Sequence, residues 1–167
     1  MTAEHTSAEA TNAPGASTAP QDDDYSTIVV GSDGSQSSLL AVRRAARLAA
    51  AFDAQLVIAC AYYEPDDDAA HHVNLSEHPV IGAQQANSIV QPAIAEAHRL
   101  GAQKTCSAVA NGSPVAALMS VVSRHDADLL VVGNRGINTL TGRLLGSVPA
   151  DIARQSDCDV MIVHTVA

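Results

Sequence analysis

Residues 127–148 read ADLLVVGNRGINTLTGRLLGSV. The first six, Ala127 to Val132, are apolar except for Asp128, and they have the Val/Leu content of a strand buried on both faces of a parallel sheet. Gly133 closes that run, Gly136 follows in the loop, and Gly146-Ser147 opens what the spacing predicts as a helix. Strand, glycine-rich loop and helix N-terminus, in that order, form a physical recipe for holding a phosphate. Glycines let backbone N–H groups turn toward an anion with no side chain in the way, and the helix dipole adds to the attraction. A phosphate-bearing ligand is the first expectation.

Working outward, apolar runs alternate with helical periodicity. Residues 26–31 (STIVVG), 55–61 (QLVIACA), 104–110, 129–133 and 160–164 (VMIVH) read as short strands. Residues 35–52 carry Leu39, Val42, Ala46 and Ala49 at helical spacing. Residues 83–100 read as a second helix, stopped by Gly101 and kinked at Pro92. Ser113-Pro114 is an N-cap followed by proline at the first helical position, predicting a helix to about Arg124, and 147–155 is a fourth. Strands alternating with helices predict an α/β fold, a Rossmann-like open five-stranded parallel sheet with helices on both faces. Ligands in such sheets bind beyond the carboxyl ends of the strands, at the switch in strand order. The loops after Val30 and after Val132 both lie at such ends.

Residues 1–24 hold Glu4, Glu9, Asp22, Asp23 and Asp24, no Lys or Arg, and almost nothing to bury, and are read as a disordered acidic tail. The folded domain is expected over 25–167. A chain of 167 residues suffices for one core, but with one Phe, three Tyr and no Trp that core must be built from Val, Ile, Leu and Ala. A net charge of −9 argues against nucleic acid or an anionic membrane as partner. No apolar run reaches membrane-spanning length and no signal-peptide pattern opens the chain, so a cytoplasmic location is expected. Cys60, Cys106 and Cys158 have no metal-ligand spacing and read as ordinary thiols, with Cys60 and Cys106 buried in strands. His71, His72 and His78 fit no ligand set and read as part of a solvated loop, so no metal site is expected. Arg43, Arg44 and Arg47 read as a solvated basic face.

The first loop is Gly31-Ser32-Asp33-Gly34-Ser35. Asp33 is suited to accept hydrogen bonds from ribose hydroxyls or an adenine amino group; equally, Asp33 or Ser35 caps the next helix. Asp rather than Ser stands at the centre of GSDGS, so no nucleophile elbow is present. The chain has no GK[ST] and no G-x-G-x-x-G. The spacing it does have, Gly133, Gly136, Gly146 and Ser147, is G-x2-G-x9-G-[ST]. With the opening IVVGSDGS, the run DLLVVGNRG, the following RLLGSVPADI and the terminal VMIVH, the chain from Tyr25 onward resembles the universal stress protein family, in its nucleotide-binding branch.

That resemblance implies adenine-nucleotide binding, to ATP or cyclic AMP, by a stress-response or signalling module. By position, Ser32 and Asp33 fall at the ribose or adenine, and backbone at Ala61 falls at the adenine ring. Gly133, Arg135, Gly136, Gly146, Ser147 and Val148 fall around the phosphates. Arg135 either clamps a phosphate or points into water. With ATP, magnesium would come too, held mostly by the phosphates and water. The resemblance also implies a homodimer through the last strand, where Val160, Met161, Ile162 and Val163 would otherwise be an exposed apolar edge.

Two other classes compete. A weak ATPase or phosphotransferase would need a carboxylate or His in the glycine loop to position water, and more cation than Arg135 and Arg143, so a binding protein is favoured over an enzyme and no catalytic residue is assigned. A nucleotide-free dimeric scaffold is disfavoured by the complete glycine set.

Overall fold

The computed structural model describes residues 24–65, 79–134 and 146–165. Among these, five strands, β1 (Thr27–Gly31), β2 (Gln55–Tyr62), β3 (Thr105–Asn111), β4 (Leu129–Gly133) and β5 (Asp159–Val163), alternate with four helices. The helices are α1 (Gln36–Phe52), α2 (Ala83–Arg99), α3 (Pro114–Arg124) and α4 (Ser147–Gln155). The acidic segment 1–23, the His-bearing stretch 66–78, and Arg135, Gly136 and Arg143 lie outside the described residues.

Every strand pairing is parallel, and the order across the sheet is β3-β2-β1-β4-β5. The expected Rossmann-like α/β sheet is therefore the fold of this chain. It builds outward from β1 to β3, then returns to lay β4 on the other side of β1. Side chains alternate across the sheet, so each central strand feeds two cores. Ile28, Val30, Leu56, Ile58, Leu129 and Val131 meet the alanine-rich faces of α1 and α2 on one side. Val29, Val57, Leu130 and Val132 meet Ala117, Leu118 and Val121 of α3 and Ile152 of α4 on the other. Burial on both faces is why these strands read as continuous apolar runs rather than alternating ones.

The helix ends follow the expected chemistry. Ser35 caps α1, its side chain accepting the Ser38 N–H at 3.0 Å. Ser113 caps α3, with Pro114 at the first helical position. Gly101 takes a left-handed φ of 98° just past α2. Strand limits shift by a residue where pairing dictates. β5 begins at Asp159 rather than Val160, because Asp159 is in register with Leu129, and it ends at Val163 opposite Gly133. Ser26 is outside β1, its N–H donating instead to the Asp128 carboxylate at 2.8 Å.

The basic face on α1 is only partly solvated. Arg44 and Arg47 are exposed, but Arg43 donates to Glu96 of α2 at 2.7 Å, and Glu96 also pairs with Arg99. The hydrogen bonds from Arg99 and then Arg43 hold the Glu96 carboxyl below the usual carboxylate range. Cys60 is buried as expected, whereas Cys106 and Cys158 are half-buried, and all three thiols are free. Among the described residues no helix is long and apolar enough to cross a membrane.

Pro92 sits inside α2 on its exposed side, and the helix continues through it. The ring removes one N–H from the helical ladder and crowds the carbonyl one turn back. Pro92→Ala is expected to stabilise the protein, by up to about 3 kcal/mol, measured by urea unfolding. No gain would mean that α2 has already relaxed around the ring.

Candidate functional site

The order β2-β1-β4 places the switch in chain direction between β1 and β4, so the connections leaving their carboxyl ends run to opposite faces of the sheet, where such folds form a ligand crevice. Gly31-Ser32-Asp33 leaves one lip and Gly133-Asn134 the other. Ser32 is a buried joint: its N–H donates to the Ala59 carbonyl at 2.8 Å and its hydroxyl lies 3.3 Å from that of Ser38. Asp33 accepts the Ser35 N–H at 3.0 Å, closing a tight turn. Since Ser35 itself caps α1, the capping role left open by the sequence belongs to Ser35. Asp33 remains half-buried at the lip.

Asp33 also lies close enough to β2 to act on Cys60. Burial first, and the Asp33 charge second, push the Cys60 thiol from 9.0 up to about 12. Ala61 is the next residue of β2, half-buried and in register with Ala110. The structure thus brings Asp33 and the end of β2 together.

On the other lip, the Gly146 N–H donates to the Asn134 carbonyl at 3.1 Å, so the end of β4 and the start of α4 meet directly. Gly146 is the N-cap of α4 and makes no side-chain cap, unlike Ser35 and Ser113. The donors at this helix start can be followed one at a time. The Gly146 N–H is used by Asn134, Pro149 has none, and the Ala150 N–H donates to the Gly146 carbonyl at 3.2 Å. Ser147 and Val148 therefore carry the two N–H groups that the helix geometry aims outward.

Asn134, which sequence reasoning missed, is 7% exposed and bonds in several directions. Its N–H donates to the Val163 carbonyl at 2.9 Å, and its Oδ1 accepts from the Thr165 N–H at 2.9 Å and the Thr165 hydroxyl at 2.6 Å. An amide side chain immediately after a strand-ending glycine was the available signal. Thr165, beyond the last strand, gave none. Elsewhere, a cavity of about 700 Å³ is lined by Asp24, Asp128, Asp157 and Asp159 at the amino ends of the strands. Its charge would repel a phosphate.

The model of the universal stress protein family matches residues 24–164. The chain belongs to that family. Universal stress protein Rv1636 of Mycobacterium tuberculosis is 46% identical to it over 143 residues, 84% of this chain and 97% of the relative. A crystal structure of a universal stress protein in complex with cAMP is 43% identical, with a TM-score of 0.65 over 86% of this chain and all 100% of the other. The structure of Rv1636 gives a TM-score of 0.55 at 42% identity, over 87% and 100%. A universal stress protein from Archaeoglobus fulgidus, at 18% identity and a TM-score of 0.65, shares the fold.

The environment of Cys60 has a measurable consequence. A thiol whose folded-state value lies above the unfolded one loses its contribution as pH rises from about 9 through the folded value of about 12. The alkaline limb of a stability–pH curve is expected to flatten in Cys60→Ala. Iodoacetamide at about pH 8 is expected to alkylate Cys106 and Cys158 but spare Cys60. Rapid labelling of Cys60 in the folded protein would contradict its burial in β2.

Proposed function

We propose that this universal stress protein binds an adenine nucleotide in the crevice between the carboxyl ends of β1 and β4, with cyclic AMP as the preferred ligand. The observation that carries the reading is the pair of outward N–H groups on Ser147 and Val148 at an α4 start with no capping side chain. A cyclic phosphodiester has one negative charge and two non-bridging oxygens, and two amide donors at a positive helix end suit it. A triphosphate asks for a larger donor set, with magnesium to neutralise it. The 43%-identical relative solved with cAMP supports the same choice.

In this arrangement Gly146 lets the phosphate approach the backbone, and Gly133 does the same at the end of β4. Arg135 and Gly136 would complete the phosphate side. Asp33 accepts from a ribose hydroxyl or the adenine amino group, the backbone at Ala61 meets the adenine edge, and Ser32 holds the turn that aims Asp33. The output is binding rather than turnover: a signalling or stress-response module. It works as a homodimer paired through β5, the edge strand, whose Val160, Met161 and Ile162 stay half-exposed in the single chain.

Gly146→Val tests the site. The backbone there has φ −62° and ψ 162°, which valine adopts readily, and among the described residues an added Cβ would meet nothing closer than 3.5 Å. Stability should fall by no more than about 1 kcal/mol, the cost of a poorer N-cap. Calorimetric titration should show at least a tenfold loss of cyclic AMP affinity. Wild-type affinity in the folded variant would place the site elsewhere, and ATP outcompeting cyclic AMP in the unsubstituted protein would overturn the ligand preference.

A further inference from the structure

We infer that Thr165, just past the last strand, is a positioning residue for this nucleotide site, joining its two lips through a directed hydrogen-bond chain from Ser37 to Asn134. The inference rests on the nucleotide-binding reading above and adds a residue beyond the 24–164 span that the family model matches.

The direction of the chain follows from donor chemistry. The Thr165 backbone N–H can only donate, so the Asn134 side-chain atom it meets at 2.9 Å is the carbonyl oxygen, which fixes the amide orientation. That oxygen carries no hydrogen, so the Thr165 hydroxyl, 2.6 Å away, must donate to it as well. A hydroxyl has one hydrogen. Toward the Ser37 hydroxyl, also 2.6 Å away, Thr165 is therefore the acceptor and Ser37 the donor. The remaining end of the amide, Nδ2, faces His164 Nδ1 at 3.4 Å.

The consequence lies in what these three residues belong to. Ser37 is in the first turn of α1, the helix started by the Ser32–Asp33 turn. Asn134 ends β4, and its carbonyl holds the Gly146 N–H at the start of α4. Thr165 belongs to neither of these segments, and it bonds both Ser37 and Asn134. The sheet alone sets β1 beside β4, but neither Asp33 nor Gly146 is in a strand. Their separation depends on how the two loops leave the sheet, and a ligand held by Asp33 at one end and by the Ser147 and Val148 amides at the other needs that separation fixed. Asn134 is buried with its carbonyl oxygen doubly satisfied, the condition under which a polar group rigidifies its surroundings.

Thr165→Val removes the hydroxyl at nearly constant volume and keeps the backbone N–H bond; Thr165→Ser restores the hydroxyl. With the full-length chain, calorimetric titration with cyclic AMP is expected to show a loss of roughly tenfold in the valine variant and near wild-type affinity in the serine variant. Amide hydrogen exchange without ligand is expected to be faster at Gly146 in the valine variant and restored in the serine variant. A side chain that only stabilised the fold would lower the melting temperature without changing affinity at temperatures where the protein is folded. Unchanged Gly146 exchange in the valine variant overturns the inference, as does faster exchange with unchanged affinity. If the unsubstituted protein binds no adenine nucleotide, the functional reading fails, and the inference that Thr165 positions a nucleotide site falls with it. Gly146 exchange still tells the two failures apart, because it reports whether the chain of bonds holds the α4 start.

Discussion

β1 is hydrogen-bonded along both edges, to β2 and to β4, and is buried on both faces. β2 and β4 are paired on both edges too, but β1 lies at the centre of the sheet, between them. A central strand with no wet face must be apolar throughout, and its neighbours must supply every ladder hydrogen bond it needs. Because the chain runs from β1 to β2 on one side and reaches β4 on the other, the loops leaving β1 and β4 travel apart. The crevice is thus a consequence of strand order, and the Ser32–Asp33 and Gly133–Asn134 segments face one another because of it.

The materials of the two cores suit this arrangement. With so few aromatic rings, the space between sheet and helices is filled by Val, Ile and Leu from the strands and mostly by Ala from the helices. Alanine faces let α1 and α2 lie close to the sheet, which keeps the first turn of α1 near the end of β4. Charge plays a lesser part. Arg43–Glu96 and Lys104–Asp53 join neighbouring elements at the surface, where solvent leaves ion pairs little net worth. Polar precision is concentrated instead at the carboxyl ends, where Ser32, Ser38 and Asn134 are the buried polar residues among those described.

The sheet was legible because its cues are local. Leu129–Gly133 and Ser113-Pro114 announce a buried strand and a capped helix from their own residues, and the structure sets both where those residues indicate. Strand ends were less legible because they depend on a partner: Asp159 looks like a loop residue until Leu129 is beside it. The glycine spacing marked the α4 start correctly, and the choice between Asp33 and Ser35 as cap needed the Ser35–Ser38 bond to decide it. The pairing of Asn134 with Thr165 was invisible for a different reason. Their interaction spans 31 positions, and no periodicity or motif in one sequence encodes which distant hydroxyl a buried amide will meet.

The glycines separate what the fold requires from what it leaves open. Gly101, with φ at 98°, is needed by the backbone itself, since a side chain there would be strained wherever it pointed. Gly146 has an ordinary extended conformation, and a Cβ on it would make only normal contacts with Asn134 and Pro149. Among the described residues, neither backbone strain nor packing accounts for a glycine at that position. It stands at the mouth of a helix whose first amides have no capping side chain, in direct contact with the residue that ends β4. On the proposed nucleotide reading, the requirement it meets is room beside the backbone for a ligand. An anion approaching the Ser147 and Val148 N–H groups would need that room.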